Sequence, residues 1–136
     1  MRVRLALATG VLLASAVAPL AHAEGTEDLS VHSYGTIGDD SKVTLSGSYR
    51  CLDDTAGPVF VNSTLVQGDH SAGIGGTWAV CDGHLHEWTN TAVVKDPAYR
   101  PGTARVQATL VRLAAGKTGL PTPDFLAVEE STVELL

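Results

Sequence analysis

Gly73-Ile74-Gly75-Gly76-Thr77-Trp78-Ala79-Val80-Cys81-Asp82-Gly83-His84-Leu85-His86-Glu87-Trp88 contains both tryptophans of the chain, one of its two cysteines and two of its five histidines. Asp82-Gly83 lies between two runs of strand-forming residues. A two-residue type I′ turn needs positive φ at both central positions, which Asp tolerates and Gly adopts freely. The dipeptide therefore predicts a β-hairpin in which Cys81 opposes His84, Ala79 opposes His86 and Thr77 opposes Trp88. That register places Trp78, Val80 and Leu85 together on the other face.

Outward from this stretch the chain keeps to strand chemistry. Residues 42–51 alternate with period two, so Val43, Leu45, Tyr49 and Cys51 share one face with Gly47, whose missing side chain can admit a large neighbour such as a tryptophan. Residues 59–67 are rich in β-branched types, and 70–81 return beside them after Gly68-Asp69. Residues 84–94 form the next strand. In 103–113, Ala104, Val106, Ala108 and Leu110 point inward while Arg105, Gln107 and Thr109 point out. A first short strand is expected at 29–33 and a last one at 125–135, where Glu129, Glu130 and Glu134 suit an exposed edge. Turn chemistry fills 35–41, and 114–123 reads as a loop ending in Leu120-Pro121-Thr122-Pro123. About seven short strands with turn clusters between them predict an antiparallel β-sandwich, with a closed barrel as runner-up.

Residues 1–23 are a targeting segment rather than part of the fold. Arg2 and Arg4 precede an apolar run that ends in Ala21-His22-Ala23, the small-x-small pattern of signal cleavage. The run is short, is broken by Pro19 and lacks a basic stop-transfer flank, which argues against a membrane anchor; Val3 separates the arginines, so the twin-arginine signal is absent. Export by the general secretory route follows, with a secreted protein as the product. Residues 24–28 read as a disordered tail and 29–136 as one β-sandwich domain.

Loss of Arg2 and Arg4 leaves seven basic residues against fifteen acidic, a formal charge of −8 on the mature chain. Phosphate backbones and anionic lipid repel such a chain, so neither nucleic acid nor a membrane surface is an expected partner. Two cysteines in an oxidising compartment predict one disulfide, Cys51 to Cys81. Closing a loop of this length should stabilise the fold by roughly 3.5 kcal/mol.

Two sets of residues could carry function. Asp82, His84 and His86 are the first set, since His84 and His86 lie on one strand face, the spacing of some metal sites, but a third ligand has to come from Asp69, His70 or Glu87, so no metal or other cofactor is expected. Trp78, Val80 and Leu85 form a candidate binding patch, because aromatic anchors dominate recognition and this acidic chain has few of them. No nucleophile elbow is present, the cysteines are consumed by the disulfide, and the adjacent pairs Asp53-Asp54 and Glu129-Glu130 point opposite ways on an extended chain. No catalytic constellation emerges, and the chain is expected not to be an enzyme. Gly73-Ile74-Gly75-Gly76 lacks the lysine and helix of a phosphate loop.

The blocks Val43-Thr44-Leu45-Ser46-Gly47-Ser48-Tyr49-Arg50-Cys51, Gly57-Pro58-Val59-Phe60-Val61, Gly73-Ile74-Gly75-Gly76-Thr77, Ala79-Val80-Cys81-Asp82-Gly83 and Tyr99-Arg100-Pro101-Gly102-Thr103-Ala104-Arg105-Val106 resemble, in this order, a family of small exported proteins from Streptomyces and related actinobacteria. That family is catalogued as a domain of unknown function. The resemblance implies a secreted, actinobacterial origin and lends support to the disulfide; it carries no catalytic or ligand residues. Residues 101–106 also look like the turn into the sixth strand of bacterial immunoglobulin-like domains, which implies an immunoglobulin-like sandwich.

The expected function is a non-enzymatic binding or interaction module, with an extracellular protein as one kind of partner. The alternative is a carrier of a small apolar ligand, similar to the actinobacterial apoproteins that hold apolar antibiotics in a sandwich cleft, although those have two disulfides. A protease inhibitor would need a braced loop, for which residues 52–58 are the sole candidate.

Overall fold

The computed structural model describes residues 27–136; the expected signal segment and the tail through residue 26 lie outside them. Eight strands make up the described fold: β1 Asp28–Val31, β2 Tyr34–Ile37, β3 Lys42–Arg50, β4 Val59–Gln67, β5 His70–Trp78, β6 His86–Val93, β7 Gly102–Ala115 and β8 Pro121–Leu135. The fold is all-β and mostly antiparallel. A single hydrogen-bonded path runs β1-β3-β2-β8-β7-β4-β5, with β6 joined to β3.

That path folds into two leaves. In the smaller leaf β3 carries β6 along one edge and β1 and β2 along the other. The larger leaf is β8-β7-β4-β5. Strand β2 belongs to both: Thr36 and Ile37 pair antiparallel with β3, while Tyr34 and Gly35 pair parallel with β8. The far sides of the two leaves meet where Thr77 Oγ1 of β5 reaches the Thr89 carbonyl of β6 at 2.8 Å.

The alternation places the core where the sequence predicts it. Val43, Leu45, Tyr49 and Cys51 are buried, as are Ala104, Val106, Ala108 and Leu110 on the facing strand. Val59, Val61, Leu65, Ile74, Val133 and Leu135 complete the layer. The largest member is Trp88 of β6, which lies across from Gly47 in the β3–β6 ladder. Its Nε1 donates to the Ser30 carbonyl of β1 at 3.0 Å.

A polar plug ties the leaves together beside this apolar layer. Asn90 of β6 is buried, and its amide donates to the Val61 carbonyl at 3.2 Å and to Ser63 Oγ at 2.9 Å. Ser63 in turn donates to the Ile74 carbonyl at 2.7 Å, and Thr77 Oγ1 meets Asn90 Oδ1. The plug sits where the β4–β5 register shifts between Asn62 and Thr64, with Gly75 at φ 65°. Such a bulge frees backbone groups, and the Asn90 side chain occupies one of them.

Four expectations need correction. Asp82-Gly83 makes no hairpin: β5 pairs with β4 and β6 with β3, so residues 79–85 cross from one leaf to the other. The crossover is held by the Cys51–Cys81 disulfide, by Gly83 N–H donating to the Cys51 carbonyl at 2.9 Å, and by Val80 N–H donating to Tyr49 Oη at 2.8 Å. Residues 35–37, read as turn, join Tyr34 in β2, leaving a tight turn closed by Ser41 N–H on the Gly38 carbonyl. Pro121 and Pro123, read as loop, lie in β8, on whose outer side no strand pairs at these positions, so their missing N–H leaves no described ladder broken. The tail boundary also moves, since Asp28 already pairs with Arg50.

A Cβ on residue 47 would overlap the Ser30 carbonyl oxygen and come within 2.7 Å of Trp88 Nε1. Gly47→Ala should therefore destabilise the protein by about 3 kcal/mol, at the upper end for overpacking, because backbone on one side and an indole on the other cannot both retreat. Urea unfolding followed by tryptophan fluorescence checks this; an unchanged midpoint would show that Trp88 does not lie over Gly47.

Candidate functional site

In β4 the inward residues are Val59, Val61, Ser63 and Leu65, so Phe60, Asn62, Thr64 and Val66 face out of the larger leaf. Direct cross-strand partners share a face. Phe60 pairs with Trp78 on one side and with Val111 on the other, and Val111 pairs with Phe125. Trp78, Phe60, Val111 and Phe125 thus form one row across four strands on the outer surface. At a strand spacing near 4.8 Å the row spans about 14 Å.

The rings of Phe60 and Trp78 are 4.5 Å apart and tilted by 51°, an aromatic pair geometry that braces the indole from below. Trp78 remains 68% exposed and Phe125 59% exposed. Val111, between Phe60 and Phe125, is only 4% exposed although it lies on the outer face and outside the central core. An apolar cluster on the outer side of a sheet is a feature that solvation alone does not favour.

Farther along the same face the row gives way to mostly polar side chains. Asn62, Thr109 and the exposed Val128 come next, then Thr64, Gln107 and Glu130, then Arg105 beside Ser71 and Val66. Arg105 donates to Glu130 Oε1 at 2.6 Å and Gln107 donates to the other oxygen at 3.4 Å. A hollow of about 170 Å3 lies among Thr64, Val66, Ser71, Arg105, Gln107 and Glu130.

The expected patch is divided differently. Trp78, Val80 and Leu85 are all exposed, at 68%, 55% and 60%. The hairpin register that was to group them does not form. Trp78 ends β5 in the larger leaf, Val80 lies on the crossover and Leu85 leads into β6 in the smaller leaf. The partner Trp78 does have is Phe60, and neither Phe60, Val111 nor Phe125 is singled out by sequence reasoning. A signal was available: in the uninterrupted apolar run Val59-Phe60-Val61 the middle residue must face away from the core.

The histidines serve the crossover. The Asp82 carboxylate accepts from His84 N–H at 2.9 Å and from His86 Nε2 at 2.8 Å, and the His86 ring stacks on Tyr49 with centroids 5.6 Å apart. His70 lies against Tyr99 at the other end of β5, about 26 Å of strand away, and Glu87 pairs with Ser48. Among the described residues no three His, Cys, Asp or Glu side chains are placed to hold a metal ion. A second, open hollow of about 450 Å3 lies at that far end, beside Gln67, His70, Pro97, Arg100 and Thr103. Its wall is fastened by Tyr99 Oη donating to the Leu65 carbonyl at 2.6 Å, and burial pushes the Tyr99 phenol above its ordinary pKa.

Two predictions follow from these placements. Trp78→Ala should change stability by less than about 1 kcal/mol, whereas Trp88→Ala should cost about 3–5 kcal/mol; urea midpoints of the two variants decide. The His84 backbone N–H, and after it the His86 side chain, hold the Asp82 carboxyl below the ordinary aspartate value. Because the folded value is the lower one, these bonds stabilise the crossover above about pH 4 and are lost as pH falls through the folded pKa. A carbon NMR titration of Asp82 should show a midpoint below about 3.9; an ordinary midpoint would mean that the turn does not persist.

The geometry can be set beside known proteins. No curated protein matches the chain. A solved structure described as "Putative ApaA Protein from Bordetella pertussis" is similar at a TM-score of 0.35 and 13% identity, over 79% of this chain and 95% of that one. A family model described as "Family of unknown function (DUF6299)" matches residues 25–136, nearly the whole of the chain after the expected signal segment, and the chain belongs to that family.

Proposed function

We propose that this chain is a secreted, non-enzymatic interaction module of immunoglobulin-like sandwich architecture, and that it grips its partner through the outer face of the larger leaf. The single observation that carries this reading is Trp78, 68% exposed yet braced by Phe60 at the end of a row that buries Val111 from outside. Rigid, partly exposed aromatic side chains are the residues that anchor recognition, because they offer large contact area at small entropic cost. Val80 and Leu85, exposed on the neighbouring crossover, extend the apolar surface available at that end.

The immunoglobulin-like label is supported by β2, which pairs with both leaves and runs parallel to the last strand. Secretion is supported by the Arg2, Arg4 and Ala21-His22-Ala23 pattern and by a disulfide, which oxidising compartments preserve. An actinobacterial source rests on the family resemblance. The carrier alternative is less favoured, since the space between the leaves is filled around Trp88 and both hollows are open to solvent rather than enclosed.

The full mature chain, immobilised and exposed to culture fluid and cell walls of its producing organism, should retain a component that Trp78→Ala fails to retain. Mass spectrometry and sugar analysis of the eluate read the result. Retention that is equal in wild type and Trp78→Ala, or none at all, would overturn the reading.

A further inference from the structure

We infer that the partner is a neutral polysaccharide laid along the outer face of the larger leaf, an inference that rests on the binding-module reading and names its ligand class. The face grades from aromatic to mostly polar along its length, with Val128 and Val66 as apolar interruptions. Trp78 and Phe60 provide an aromatic platform at one end, and Asn62, Gln107, Glu130 and Arg105 provide planar hydrogen-bonding groups beyond it. Four residues of strand separate the row of Phe60 from that of Gln107, about 13 Å.

A sugar ring has the matching chemistry: one face of C–H groups that stacks on an aromatic ring, and an edge of hydroxyls that both donate and accept. A chain of such rings needs the platform and the polar groups repeated in line, which the strand direction supplies. Two glycines keep the track open. A Cβ at Gly76 would come within 2.9 Å of Asn62 Oδ1, and one at Gly73, alongside Thr64, would stand in open space beside the hollow. With glycine at both positions the β5 side of the face has no wall.

Charge selects a neutral ligand. The cation of the face is matched within it, Arg105 by Glu130 at 2.6 Å, and Arg112 is likewise matched by Asp124 at 3.4 Å. The whole chain is acidic, with a formal charge of −6, so a polyanionic polymer would be repelled. A protein partner is the less fitting occupant, because protein interfaces are depleted of glutamate and here Glu130 stands on the face opposite Gln107. Arg105 and Gln107 both reach Glu130, one to each carboxylate oxygen, which biases the three groups toward one arrangement and lowers the ordering cost of binding.

The test is co-sedimentation of the full mature chain with insoluble cellulose, chitin and starch, using wild type, Trp78→Ala and Gln107→Ala. The variants are first shown to keep the wild-type urea midpoint. At least one polysaccharide should sediment the wild type, each substitution should weaken that binding by about tenfold, and the matching soluble oligosaccharide should compete while added salt should not. Binding equal in all three proteins would be adsorption and would overturn the inference. No sedimentation of the wild type, together with Trp78-dependent capture of a protein from the culture fluid, would overturn the polysaccharide and leave the binding module standing. Failure of both arms would overturn both.

Discussion

The indole of Trp88 lying over Gly47 is the contact on which the other placements depend. Ser30 accepts its N–H from β1, Gly47 makes room for it in β3, and Trp88 itself comes from β6, so one side chain fixes the relative register of three strands. A slip of β6 by one residue would turn Trp88 out to solvent and bring Glu87 in, a cost no neighbouring contact could offset. With β6 fixed, Asn90 two residues on is delivered to the bulge between β4 and β5, and the two leaves are joined through buried hydrogen bonds that leave its amide satisfied. The apolar layer supplies most of the driving force. The Trp88 and Asn90 contacts supply the uniqueness, since polar groups of this kind tolerate one alignment only.

Much of this was legible because alternation is a direct consequence of strand geometry. The inward residues of β3 and β7 follow from period two alone, and Gly47 on the inner face announces a large partner without saying which tryptophan it is. What sequence could not supply was the pairing partner of each strand. Asp-Gly favours positive φ, and Gly83 does adopt φ 81°, but that conformation serves a crossover as well as a hairpin. The deciding facts are distant: Cys81 is tied to Cys51, and the Asp82 side chain is spent on His84 and His86. Strand β2 was hidden for a related reason. Its Gly35 looks like turn chemistry, yet a Cβ there would meet Leu45 and the Thr44 carbonyl, so glycine permits the close approach at which two leaves share a strand.

The candidate face was legible in part. Trp78 stood out as one of two tryptophans in a chain of few aromatics, and the structure settles which is exposed: Trp78 at 68% against Trp88 at 1%. Its companions were obscured because Phe60 sits in a continuous apolar run and Phe125 sits next to a register shift, both of which blur the alternation that identifies a face. Sequence reasoning therefore paired Trp78 with Val80 and Leu85 through a ladder that does not form, while the ladders that do form set it in line with Phe60, Val111 and Phe125.

Edges are the other place where a β protein can take a partner, and the two edges of the larger leaf are obstructed. Along β8 the outer edge carries Pro121 and Pro123, which cannot donate, and Glu129, which lies across from buried Ala108 and so places a carboxylate toward the inner side of the edge. Along β5 the edge is occupied by the approach of β6, where a Cβ on Gly75 would already meet the Thr91 backbone. An added strand would have to displace a charge on one side or a leaf on the other. The broad outer surface of the larger leaf has neither obstacle, and it is there that the exposed aromatic row lies. An exposed apolar row beside edges obstructed in this way leaves side chains on the face, rather than backbone groups at an edge, as the surface open to contact.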